Sequence, residues 1–284
     1  MTGSAGHRGA WGSVLSAEGF AAIRSVGFEP VGQVFGAVVF PLASTAAVSC
    51  PGTTMAFLVP AAPGVVTGVP DPATRIARAL DHGRRTAIAR MTGECSDLGG
   101  HGIVGTSLQV IETGGDSSTG ATVTLTALGT AVRATGCPPL ARPFTTDLSG
   151  HDFAKLLAHG WMPAGIALAT AAAGLHDPTV TTSSGPWQNQ NAEMPGYTDL
   201  VMTVRRYART RLEDAVLGLG ADGVVVSALT LRVRSEPCRA HPPGTDHFAE
   251  AVITGTAVAC FDRRRAARGP SLTILPLNDG RPDR

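Results

Sequence analysis

LSAEGFAAIRSVGFEPVG at residues 15–32 and LSGHDFAKLLAHGWMPAG at residues 148–165 are two versions of one segment. At an offset of 133, Leu15, Ser16, Phe20, Gly27, Pro30 and Gly32 fall on Leu148, Ser149, Phe153, Gly160, Pro163 and Gly165, and the aromatic Phe28 falls on Trp161. A second block repeats at an offset of 121, where DLGGHGIVGTSLQV (97–110) meets GLGADGVVVSALTLRV (218–233). A third pairs GTAV at 129–132 with GTAV at 255–258. Three blocks in the same order, separated by inserts of different length, describe a duplicated domain. CPPLARP (137–143) breaks both periodicities and marks the boundary, giving domains at 13–140 and 144–266 and a disordered tail at 267–284.

Each copy reads as the same series of elements. Ser16 and Ser149 are N-caps of a short helix that stops at Gly27 or Gly160. An apolar run follows, Val31–Phe40 in the first copy and Gly165–Ala173 in the second. The first reads as a strand buried on both faces; the Ala-rich second is open to either strand or helix. A longer helix comes next. In copy one Asp71 caps it, Pro72 sits in its first turn, and Ile76, Leu80, Ala87, Ile88, Met91, Cys95 and Leu98 form its stripe; Leu200, Val204, Ala208, Leu212, Ala215 and Leu219 do so in copy two. Gly99 and Gly220 end these helices, and two strands joined as an antiparallel hairpin close each copy. The fold class is therefore α+β, two tandem β-α-β-β units, each a helix packed on a small antiparallel sheet.

Composition narrows the partners. The chain has 284 residues, 43% of them hydrophobic and 16% charged, with a formal net charge of +1. That is too apolar for a disordered chain and too neutral for electrostatic binding of nucleic acid or an anionic membrane. Residues 31–70 carry no charge, but Pro41, Pro51, Pro60, Pro63 and Pro70 cut the stretch short of a membrane span. Five cysteines without a C-x-x-C, and no signal-like start in residues 1–20, place the protein in the cytoplasm with reduced thiols. A unit of three strands and one helix buries little apolar surface, so each should pack on its twin or on other chains.

Each half resembles the YbjQ-like family, which carries a heavy-metal-binding label. The residues concerned are Pro-Val-Gly at 30–32 (Pro-Ala-Gly at 163–165), Leu-Gly-Gly-His-Gly-Ile-Val-Gly at 98–105 (Leu-Gly-Ala-Asp-Gly-Val-Val-Val at 219–226), and the closing Gly-Thr-Ala-Val. The resemblance implies dodecin-like subunits that assemble into a ring, commonly a pentamer, with no enzymatic activity. The chain departs from the single-domain form by its tandem arrangement and by inserts at 41–70 and 181–195.

The family label names no fixed ligands, so a metal site has to come from these residues. The best set is Cys238, His241 and His247, with Asp246 alongside, in the loop between the last two strands; Cys and His donors suit a divalent ion such as zinc. A rigid loop with Pro237, Pro242 and Pro243 could equally keep those donors apart. Copy one offers only Asp116 in the matching loop. The two G-x-G-x-x-G stretches, Gly100, Gly102, Gly105 and Gly218, Gly220, Gly223, follow a helix instead of preceding one, so the dipole there repels a phosphate. No nucleophile elbow, H-E-x-x-H or Walker loop is present, and Gly115-Asp116-Ser117-Ser118 reads as a hairpin turn. The expectation is a non-enzymatic protein that self-associates into a ring-like oligomer, with metal binding through the Cys/His loop as the alternative.

Overall fold

The computed structural model describes residues 12–42, 72–114, 121–138, 140, 142–177, 194–238 and 244–262. Asp71, Cys50, Asp116, His241, nearly all of the two inserts and the tail at 267–284 lie outside the described residues.

The same run of elements occurs twice. Helix α1 (Ala17–Ser25), strand β1 (Phe28–Leu42), helix α2 (Pro72–Asp97) and strands β2 (Gly102–Thr113) and β3 (Ala121–Ala134) form the first unit. A two-residue strand β4 (Phe144–Thr145) then leads into α3 (Gly150–Ala158), β5 (Trp161–Asp177), α4 (Pro195–Gly218), β6 (Gly223–Pro237) and β7 (Thr245–Cys260). The mixed α+β class is as the periodicities indicate, and the two sheets have orders β1-β3-β2-β4 and β5-β7-β6.

Local chemistry repeats with the elements. Ser16 and Ser149 cap α1 and α3, each hydroxyl accepting a backbone N–H three residues on, at 3.0 and 3.1 Å. Gly27 and Gly160, at φ +82° and +81°, turn the chain from these helices into β1 and β5, a conformation that costs a side-chain-bearing residue far more. Register shifts fall at equivalent places, Pro30/Gly32 with Pro163/Gly165 and Val104/Ser107 with Val226/Ala228. The Ala-rich run of copy two is strand. It pairs along its whole length with β7, from Trp161 opposite Cys260 to Asp177 opposite Thr245.

Two features were not legible in the periodicity. First, α2 has two working faces. Its Ala87, Met91 and Cys95 pack with Val34, Ile103, Ala127 and Ala131 of the first sheet, and β1 comes so close at Gly36 that a methyl group there would overlap the Ala87 carbonyl. On its other side Arg84 Nη1 donates to Thr170 Oγ1 at 3.3 Å and Arg85 Nη2 to the Leu168 carbonyl at 3.2 Å, both on β5. Helix α4 covers the opposite face of that sheet through Leu200, Val204, Ala208, Leu212 and Val216 against Ala167, Ala169, Ala171, Ala251 and Ile253. The layers run α4, second sheet, α2, first sheet.

Second, β1 is covered on one face only among the described residues, in contrast to the two buried faces expected from its apolar run. Val34 is fully buried, but Phe35 and Val39 on the alternate face are 48% and 61% exposed. The alternation of side chains along a strand gives β1 a second apolar face, and no element among the described residues lies over it.

Candidate functional site

The far end of the second sheet brings metal-type donors together. His176 on β5 is the register partner of Asp246 on β7, and their side chains meet at 2.6 Å between Nδ1 and Oδ1. Cys238 follows the last residue of β6, where its N–H donates to the Gly244 carbonyl at 2.8 Å and holds the thiol over the strand end. The donor atoms of His176, Cys238 and Asp246 all lie within 4.8 Å of one another. Cys238 and Asp246 are buried, and His176 is half-buried. A thiol, an imidazole and a carboxylate at this spacing suit a borderline ion such as zinc, with one coordination position left open. A close His–Asp hydrogen bond is also a stable arrangement by itself.

Of the residues expected from the sequence, Cys238 belongs to this cluster, His241 lies outside the described residues, and His247 is engaged elsewhere. Successive strand residues point to opposite faces, so Asp246 and His247 separate. His247 is buried beneath the start of α4, where Tyr197 Oη lies 2.7 Å and Ser235 Oγ 2.8 Å from its Nδ1. The Asp177 carboxylate is 3.7 Å from its Nε2. His176 has no signal in the sequence, because spacing along the loop says nothing of β5. Only the β5–β7 register carries it to Cys238.

The sheet edges are treated unequally. On β1 the Arg90 guanidinium donates to the Ala37 carbonyl, and the Phe35 N–H donates to the Glu94 carboxylate. On β5, Arg85 and Arg211 donate to the Leu168 and Thr170 carbonyls. Helix side chains thus block both edges against further strands. The start of β2 is closed by the Phe144–Leu148 segment, with β4 parallel to it. Strand β6 has no such cover among the described residues. Its Val225, Val226, Leu229, Leu231 and Val233 are 40–51% exposed.

One further concavity, of about 570 Å³, lies between α2, β5 and α4 and is lined in part by Arg78, Asp81, His82, Arg85, Arg211 and Asp214. Its Arg85 pairs with Asp81 at 2.8 Å, and Arg85 and Arg211 are spent on the β5 carbonyls, which leaves it poorly suited to an anion.

Residues 72–135, which comprise α2, β2 and β3, match the YbjQ family model described as "Putative heavy-metal-binding". Over 279 residues the chain is 27% identical to a protein of Mycobacterium tuberculosis named "Encapsulin nanocompartment protein", covering 94% of this chain and 91% of that one. No helix among the described residues is long and apolar enough to cross a membrane.

Proposed function

We propose that this protein is a non-enzymatic assembly module, acting in the cytoplasm, that associates with copies of itself into a ring-like oligomer. The observation that carries the reading is the outer edge of β6, unpaired with any strand among the described residues and flanked by half-exposed Val and Leu side chains, in a chain whose β1 and β5 edges are blocked. An open apolar edge is a site for pairing with another strand, and burying it would remove the aggregation hazard it otherwise poses. The name of the M. tuberculosis relative, which refers to a nanocompartment, favours a role in assembly. Free thiols at Cys95, Cys137, Cys238 and Cys260 go with a reducing compartment. Size-exclusion chromatography with light scattering should give a multiple of the 29.0 kDa chain mass at micromolar concentration. A clean monomer would remove the reading.

The second reading is divalent-metal binding, and the convergence of His176, Cys238 and Asp246 favours it. These residues would supply a thiolate, an imidazole and a carboxylate to an ion such as zinc. Competitive titration against a zinc chromophore separates it from the loop set. Loss of stoichiometric binding in His176→Ala and Cys238→Ser, with binding kept in His241→Ala and His247→Ala, is the expected pattern. If His241→Ala or His247→Ala abolishes binding and His176→Ala does not, the ligands are the loop set Cys238, His241 and His247. Wild-type protein that takes no zinc rejects both sets.

A further inference from the structure

The junction between the two units inside one chain is built from parts that recur, half-used, at the chain's two ends. Inside the chain, Phe144–Leu148 joins the units. Its backbone makes four hydrogen bonds to the start of β2: Phe144 N–H to the His101 carbonyl (3.1 Å), Thr146 N–H to Ile103 (2.9 Å), and the Gly105 and Thr106 N–H groups to Leu148 and Thr146 (3.0 Å each). The same segment holds its own sheet through Thr146 Oγ1, 2.8 Å from Thr256 Oγ1, and the Asp147 N–H donating to Thr256 Oγ1 at 3.2 Å. An aromatic group seals the joint. Phe28 of the first unit packs on Phe144 and Phe153 of the second with ring centroids 5.3–6.1 Å apart, and the Phe144 ring fills the space above Gly102.

At the offset of 133 the joining segment corresponds to Trp11–Leu15. Its grip on its own sheet is already formed: Ser13 Oγ lies 3.1 Å from Thr130 Oγ1, the Val14 N–H donates to the same hydroxyl at 3.1 Å, and the Leu15 N–H donates to Ser13 Oγ at 3.1 Å, as Leu148 does to Thr146. Trp11 lies outside the described residues. The receiving edge, His101–Thr106, corresponds at the offset of 121 to Asp222–Ser227 on β6. That edge is empty. Val104 is fully buried but its counterpart Val225 is 40% exposed, and the space above Gly223 holds no atom nearer than Val258, at 3.8 Å.

We infer that Trp11–Leu15 of a second copy of this chain adds, parallel, to the start of β6, with Trp11 over Gly223 and Gly12 opposite Val224. This rests on the self-association reading and names its interface. The chain's own Gly12–Leu15 is seated on the first sheet against Gln33, Thr130 and Gly105, and the isotope experiment below separates it from a second copy's segment. The seal is present in the sequence: the counterparts of Phe28, Phe144 and Phe153 are Trp161, Trp11 and Phe20, aromatic at all three positions. Such a contact joins unlike surfaces head to tail, so it propagates until it closes on itself. Because each chain contributes two units, every closed ring of whole chains holds an even number of them, which excludes a five-unit ring.

Light scattering on Trp11→Ala, Val225→Arg and, for the outer face of the first sheet, Val39→Arg tests this. The two junction variants should fall to the 29.0 kDa monomer and Val39→Arg should keep the wild-type mass. If Val39→Arg disperses the assembly and the junction variants do not, the protein self-associates by another face and this interface is wrong. A monomeric wild type removes the interface and the self-association reading together. A Gly12→Cys/Val224→Cys chain, expressed separately in ¹⁴N and ¹⁵N media, mixed, unfolded and refolded together under reducing conditions and then oxidised, supplies a readout independent of surface charge. Peptide pairs of mixed isotope joining positions 12 and 224 are expected. Same-isotope pairs alone, or no such pair, overturn the inference.

Discussion

At the scale of single residues, burial decides chemistry. Cys95 lies on the α2 stripe with no exposed surface, and burial pushes its thiol up from the ordinary value of 9.0 to about 11, only partly offset by a backbone hydrogen bond with Gly102. The unfolded thiol ionises first as pH rises, so folding loses stability between pH 9 and about 11. Below pH 9 that contribution is complete. Two pKa units correspond to roughly 2–3 kcal/mol, so urea midpoints of wild type should fall across this window while those of Cys95→Ala stay flatter. Parallel curves for the two proteins would show that Cys95 is not the group responsible. Neutral-pH thiol labelling should likewise reach exposed Cys137 long before Cys95. The sequence could assign Cys95 to packing because its counterpart is Val216 on the same helical stripe. It could not assign His176, since a ligand supplied by a distant strand leaves no mark in local spacing.

At the scale of elements, side-chain period and turn chemistry carried most of the information. Caps at Ser16 and Ser149, left-handed glycines and two hairpins are local properties, and each element that depends on them formed where the residues place it. Strand β4 leaves no trace in the sequence because two residues have no period. It exists only through the edge of β2 that it joins. The close approach of β1 and α2 is also a pairwise property, set by Gly36 under the Ala87 carbonyl. Gly36→Val would force the helix away from the sheet. Overpacking of this kind costs on the order of 1–3 kcal/mol, so the denaturation midpoint should drop clearly. Gly93→Ala on the same helix, where a methyl group meets nothing within 4 Å, should be neutral or mildly stabilising. Equal effects at the two positions would contradict the packing described.

At the scale of the whole molecule, α2 couples the two units because it serves as cover for both sheets. The residue that makes this coupling chemical is Arg84, buried between α2 and the second sheet. Burial lowers its pKa, while the carboxylates of Glu250 and Asp81 oppose that shift and Arg232 adds to it. Its charge is thus held by acids on both units, with Asp81 from its own helix and Glu250 from β7. The repeated sequence blocks made the two units readable from sequence, but a helical stripe reports one buried face, and an arginine opposite it reads as solvated until the second sheet is in place. A shared cover predicts cooperative unfolding, in which the first unit cannot open without exposing β5. Chemical denaturation of the wild type followed by tryptophan fluorescence and by circular dichroism should therefore give coincident single transitions. Arg84→Ala removes the buried cation beside Glu250, while Asp81 keeps Arg85 at 2.8 Å, a change that costs on the order of 1–3 kcal/mol. Because it acts at the seam, it should also separate the transitions. The second unit, whose α4 core does not touch Arg84, would unfold last. Pairing Arg84→Met with Glu250→Gln should restore most of the stability by removing the stranded charge. If the wild type already unfolds in two steps, or if the double variant is weaker than Arg84→Ala alone, the two units are held together by something other than this shared helix.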